Sequence, residues 1–168
     1  MAVLSPTSYP GVSLREFDEN DNKALYRIFV DSRNDLLNAV AGWDEAQRKE
    51  FLHGQFRAQQ DQYRRQYPTA RFDMIVADGK VVGNFYVAPG DDEILLVDIN
   101  LLPGFRNQGI GRALLQDLID ESERSNKQVS LNVMQGNPAI HLYERMGFKS
   151  VGAQDVYRRM VWRPASAN

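Results

Sequence analysis

At 168 residues, with no cysteine and 20 Lys plus Arg against 22 Asp plus Glu for a formal net charge of −2, the chain has the size of one domain whose core can stand without cross-links. The missing thiols exclude disulfide scaffolds, cysteine nucleophiles and cysteine-ligated metal or haem sites, and a reducing cytoplasm is the expected compartment. The slightly acidic balance argues against nucleic acid, the 43% hydrophobic content argues for a globular chain, and no apolar run approaches the ~20 residues of a membrane-spanning helix.

Residues 1–11 carry neither a basic nor an apolar stretch, so no signal peptide is expected; residues 1–10 and 164–168 read as loose tails of a single domain spanning 1–168. Alternation of apolar and polar positions predicts a first strand over 12–17. Leu25, Ile28, Phe29, Leu36 and Leu37 recur at helical spacing over 20–40. Asp44 caps a second helix that Pro68 ends near Tyr67. Arg57, Arg64 and Arg65 with interleaved tyrosines on this helix read as a solvated face rather than a nucleic-acid patch. Residues 72–77 and 80–88 flank Asp78-Gly79, a strong hairpin turn.

The almost continuous apolar run 93–102 predicts a strand covered on both faces, in mid-sheet. An amphipathic helix follows through Ile110, Ala113, Leu114, Leu118 and Ile119, then a strand over 129–133. Asn137-Pro138 opens another helix and Gly147 closes it. Two short strands are expected over 148–152 and 155–162.

Between the buried strand and the amphipathic helix lies Leu101-Leu-Pro-Gly-Phe-Arg-Asn-Gln-Gly-Ile-Gly111. Glycines let successive amides turn toward one point, and a helix start adds free N–H groups and about half a positive charge, so the loop suits an anion such as a diphosphate. A bare Gly-rich connection is the alternative on these residues alone. No Gly-Lys-Ser/Thr follows, which removes the P-loop reading. The third Gly or Ala of the dinucleotide fingerprint is missing and the Pro103 to Gln108 loop is too long for its turn, which removes the Rossmann reading.

Two segments in this order resemble the GNAT superfamily of acetyl-CoA-dependent N-acetyltransferases. One is Arg106-Asn-Gln-Gly-Ile-Gly111. The other is Leu131-Asn-Val-Met-Gln-Gly-Asn-Pro-Ala-Ile-His-Leu-Tyr-Glu-Arg-Met-Gly-Phe148. The likeness is clear over 93–152 and topological before it. It implies an α/β (α+β) fold with a mixed, centrally splayed sheet of about seven strands and about four helices. It implies acetyl-CoA as cosubstrate, with its pantetheine arm between the splayed strands against the amides of Leu101 and Leu102. The diphosphate would lie on the loop formed by Arg106, Asn107, Gln108, Gly109, Ile110, Gly111 and Arg112, and Asn137 would meet the pantetheine amides.

The resemblance makes Tyr143 the acid that serves the departing thiolate; on spacing alone, with Ala139, Ile140 and Met146, it reads as a core aromatic. Family members that carry a glutamate on the second splayed strand differ from this chain, which has Asn132 there. Asp98 and Glu93 are the carboxylates at hand, and Asp98, the closer, is the expected base, against a purely structural role. His53 and His141 lack metal-ligand spacing and read as exposed or hydrogen-bonded; no metal is expected. The expectation is direct acetyl transfer to an amine of unspecified identity, with a non-catalytic acyl-CoA-binding sensor as the alternative and no nucleic-acid or membrane partner. The oligomeric state stays open, with a homodimer as the most frequent form.

Overall fold

The computed structural model describes residues 3–165. In chain order it contains β1 (Ser5–Pro6), β2 (Val12–Glu16), α1 (Asn22–Ser32), α2 (Asn34–Ala39), α3 (Glu45–Gln66), β3 (Arg71–Ala77), β4 (Lys80–Pro89), β5 (Glu93–Leu101), α4 (Ile110–Arg124), β6 (Gln128–Met134), α5 (Ala139–Arg145), β7 (Lys149–Gln154) and β8 (Tyr157–Trp162). Among the described residues the eight strands form one sheet in the order β1-β2-β3-β4-β5-β6-β8-β7. All neighbours are antiparallel except β5 and β6. One face packs Phe85, Ile94, Leu96, Leu131 and Val133 against α4 and α5; the other packs Met74 and Tyr86 against Leu25, Phe29 and Phe56 of α1 and α3. No helix among the described residues is long and apolar enough to cross a membrane.

Most elements follow their sequence signals. Asp44 accepts from the Gln47 amide at 2.8 Å and starts α3, and Gly147 ends the α5 turn at φ +99°. Two features differ from expectation. The helix expected over 20–40 breaks at Arg33, whose backbone leaves the helical region (φ −118°, ψ 64°). Just before the break the Ser32 hydroxyl donates to the Phe29 carbonyl at 2.7 Å, a local bond that competes with helix propagation. An eighth strand is added by Ser5 and Pro6, which pair with Leu14 and Ser13. The described part of the 1–10 tail is therefore docked rather than loose; residues 1–2 and 166–168 of the two expected tails lie outside the described residues.

The feature that positions the site is a bulge. Tyr86 pairs with Asp98 but its neighbour Val87 pairs with Leu96, leaving Val97 as an extra residue in β5. A bulge bends the strand that carries it. The parallel pairing of β5 with β6 covers only Glu93 to Leu96 against Gln128 to Leu131 and stops at this residue. Beyond it β5 stays on β4 and β6 stays on β8, through Met134, so the sheet splits along its middle.

Candidate active site

The split opens into a cleft of about 690 Å³ between the diverging halves of β5 and β6, walled by α3, the start of α5 and the β7–β8 hairpin. Successive N–H groups of a strand point to opposite sides. Leu102 spends its amide on the Val82 carbonyl at 2.8 Å, toward β4. The Leu101 amide, and two residues earlier that of Ile99, therefore face away from β4 toward the gap, where β6 offers no partner; the Ile99 N–H supports the Asp98 carboxylate, which leaves Leu101 with the free amide. Of the two amides expected there, that of Leu101 faces the gap and that of Leu102 is bound to β4. Counting back by two from Leu101 adds Ile99 to the same edge.

Asp98 projects from the opposite face of β5, half-buried in the cleft wall. Its Oδ2 accepts from Asn100 Nδ2 at 2.9 Å and from Asn84 Nδ2 at 3.2 Å, and Asn100 Nδ2 also lies 3.2 Å from Asn84 Oδ1. Burial raises the pKa of this carboxyl; the two amides, the Ile99 N–H and the charge of Arg33 act against that rise. Asn84 is only 2% exposed. An amide inside the apolar strand 80–88 is the sequence signal that would have flagged it, since a buried polar side chain needs a partner. Glu93 stands at the paired end of β5, held by Arg159 and by Gln128 Nε2 at 3.0 Å, and does not line the cleft.

Tyr143 belongs to the α4 and α5 side of the core, 7% exposed and tilted against Phe148, yet it lines the same cleft. Its hydroxyl makes no hydrogen bond among the described residues and is not sealed from solvent. Burial first, then the charge of Asp98, pushes its pKa up to about 12. Asn132 is exposed on β6 and lines the cleft, as does Asn137. The Asn137 Oδ1 accepts from the Ala139 amide at 2.9 Å, in the turn that leads into α5.

Helix α3 supplies Gln59, Gln60 and Tyr63 to the opposite wall, joined by Tyr67, the residue that ends the helix. The Tyr86 hydroxyl donates to Gln60 Oε1 at 3.0 Å, and burial pushes the Tyr63 and Tyr86 phenols up as well. Arg64 stacks between the rings of Phe17 and Phe72, 5.0 and 4.9 Å from their centroids. His53 stacks on Tyr26 at 3.8 Å, and His141 is exposed. No group of three or more metal-ligating side chains stands together among the described residues.

The 106–112 loop lies at the end of β5, outside the cleft lining. Arg106 turns its guanidinium inward, donating from Nε to the Leu101 carbonyl at 2.8 Å and reaching the Asp31 carbonyl at 3.4 Å. Asn107 and Gly109 both take positive φ, +59° and +90°. Gly109 stands immediately before α4, so the amides of Ile110, Gly111 and Arg112 open a helix and have no acceptor within it. Ile110 itself is buried, anchoring this end of α4 in the core. Such a row of free amides fits a diphosphate, and the unpaired Leu101 amide fits an extended amide chain laid in the gap.

The model of the acetyltransferase (GNAT) family matches residues 22–148, a stretch that takes in α3, β5, β6, α5 and the loop and stops before the β7–β8 hairpin. The chain belongs to the acetyltransferase (GNAT) family. Among curated relatives it is 38% identical over 85 residues to a streptothricin acetyltransferase of Streptomyces lavendulae, covering 48% of this chain and 45% of that protein. It is 48% identical over 59 residues to the ribosomal protein bS18-alanine N-acetyltransferase of Escherichia coli K12, covering 34% of this chain and 40% of that protein. The matches thus span less than half the length of either relative.

Solved GNAT structures share the fold. A PaiA N-acetyltransferase from Thermoplasma acidophilum, in complex with coenzyme A, superposes with a TM-score of 0.66 at 16% identity, over 90% of this chain and 98% of that one. RimL, a ribosomal L7/L12 alpha-N-protein acetyltransferase, does so with a TM-score of 0.65 at 19% identity, over 96% and 93%. The mixed, splayed sheet expected from the motifs is the GNAT fold of this chain, with one strand more than the seven expected.

Proposed function

We propose that this GNAT chain moves an acetyl group from acetyl-CoA directly to a primary amine held in the cleft. The observation that carries the reading is the juxtaposition of three things at the split: the unpaired Leu101 amide on β5, the half-buried Asp98 carboxylate and the unpartnered Tyr143 hydroxyl. Acetyl-CoA, when bound, supplies a thioester carbonyl for the amine to attack. A fixed N–H donor on β5 is suited to the negative charge that develops on that carbonyl oxygen. Asp98 takes the proton lost by the amine as the new C–N bond forms. Tyr143, protonated at neutral pH, donates its proton to the sulfur as the C–S bond breaks; afterwards Asp98 gives its proton up to solvent and the Tyr143 phenolate takes one back, which balances the transfer. The wall of α3, built from glutamine amides and phenols rather than a ring of carboxylates, supports a polar acceptor of low positive charge.

Acetyl-CoA consumption over a panel of amines, alongside calorimetric titration with CoA, tests this. Turnover with at least one amine is expected, and Tyr143→Phe should lower kcat about 10²-fold or more with CoA affinity unchanged. Tight CoA binding with no turnover on any amine would instead make the chain an acyl-CoA-binding module, a reading that Asn132, an amide in the place of a base, favours.

A further inference from the structure

The arm before β2 reaches the loop proposed to hold the diphosphate. Pairing with β2 and the bond from Thr7 Oγ1 to the Val12 carbonyl at 2.7 Å fix its course. From there the Ser8 amide donates to Asp117 Oδ2 on α4 at 2.9 Å, and the Tyr9 hydroxyl donates to the Gln108 carbonyl at 3.0 Å. The Tyr9 ring lies 3.7 Å from the point where a Cβ on Gly109 would stand.

The Gln108 carbonyl and the Gly109 N–H belong to one planar trans peptide and point in opposite directions. Holding the carbonyl on Tyr9 therefore aims the Gly109 amide away from the arm. Regular structure does not fix this peptide, because Gln108 and Gly109 both lie in a bend outside helix and strand, Gly109 at φ +90°. Glycine also tolerates the flipped orientation, in which a carbonyl oxygen would replace the N–H and repel an anion. Gln108 is tied within the loop by its own Nε2, bound to the Gly104 carbonyl at 2.7 Å, but that bond holds the side chain and leaves the 108–109 peptide free to turn.

We infer that Tyr9 is a positioning residue for coenzyme A, selecting the orientation of the 108–109 peptide that presents the Gly109 amide to the diphosphate. This rests on the reading that the loop holds that diphosphate. Affinities of the wild-type chain, Tyr9→Phe and Tyr9→Ala are to be measured for CoA by calorimetry and for S-acetyl-pantetheine, which has no diphosphate, by amide NMR titration. Tyr9→Phe keeps the ring and its packing, and serves as the variant that preserves the fold. CoA binding should weaken about three- to tenfold in Tyr9→Phe and further in Tyr9→Ala, with acetyl-pantetheine affinity unchanged in both. Equal CoA affinity in all three proteins would overturn the inference, and so would an equal loss for both ligands, which is the mark of a general structural role. A wild-type chain that binds acetyl-pantetheine but not CoA, or neither, removes the diphosphate reading itself and the inference with it.

Discussion

Asp98 sits where two requirements conflict. A base must ionise near neutral pH, whereas burial favours its neutral form, and the side-chain amides of Asn84 and Asn100 moderate that conflict by donating to Oδ2. Removing either donor leaves the charged form less supported and moves the pKa further up. In Asn84→Ala and Asn100→Ala the acid limb of the kcat/KM profile should therefore move to higher pH, while Asp98→Asn should lose the limb and about 10²-fold or more of kcat. The same shift has a stability consequence of opposite benefit. Because the folded pKa of Asp98 is raised, its stabilising contribution is present below the ordinary carboxylate value of about 3.9 and is lost as pH rises through the folded pKa. Asp98→Asn should thus melt above the wild-type chain at pH 7, and the difference should close as pH falls toward 4. A variant that melts below wild type at pH 7 would contradict the burial argument.

At the scale of elements, what the sequence declares locally is what it declares well. The Asp78-Gly79 turn, the Asp44 cap of α3 and the amphipathic stripe of α4 are each encoded within a few consecutive residues, and each stands as expected. The Val97 bulge was not legible, because it is a mismatch of register between β4 and β5 and no local pattern carries it. Nor was β1: Ser and Pro show no strand periodicity, and their pairing is imposed by the edge of β2. The site divides in the same way. Tyr143 and the loop glycines lie in contiguous motifs, whereas the partners of Asn84, namely Asp98 and Asn100 on β5, are set only by pairing across strands. Gly83 is a further case. A Cβ there would stand 2.2 Å from the Asn100 carbonyl oxygen and 3.1 Å from Ile75 Cδ1, and no rotamer relieves a clash with backbone. Gly83→Ala must push β5 off β4 and should cost about 3 kcal/mol in urea unfolding, with Asn100 and therefore Asp98 displaced. A stable, fully active Gly83→Ala would mean that the two strands have room they do not show.

Across the whole molecule the candidate site is a fault line, held on one side by β4 and on the other by β8, with α3 and the β7–β8 hairpin walling it. A ligand laid in the gap would give the free Leu101 amide of β5 a partner and tie the two half-sheets together. Saturating CoA, at about 100 times its Kd, should stabilise the fold by about 2.7 kcal/mol, which for a chain of this size raises Tm by roughly 5–10 °C. The distribution of that gain is the sharper test. Amide hydrogen exchange should slow at Ile99 and Leu101, whose N–H groups face the gap, and change far less at Asn100 and Leu102, which the strand alternation turns toward β4. Leu102 is already bound to Val82. Protection that rises at alternate residues of one strand requires a ligand on one edge of it, so uniform protection along β5, or a Tm rise with none at Ile99 and Leu101, would place CoA somewhere other than the split between β5 and β6.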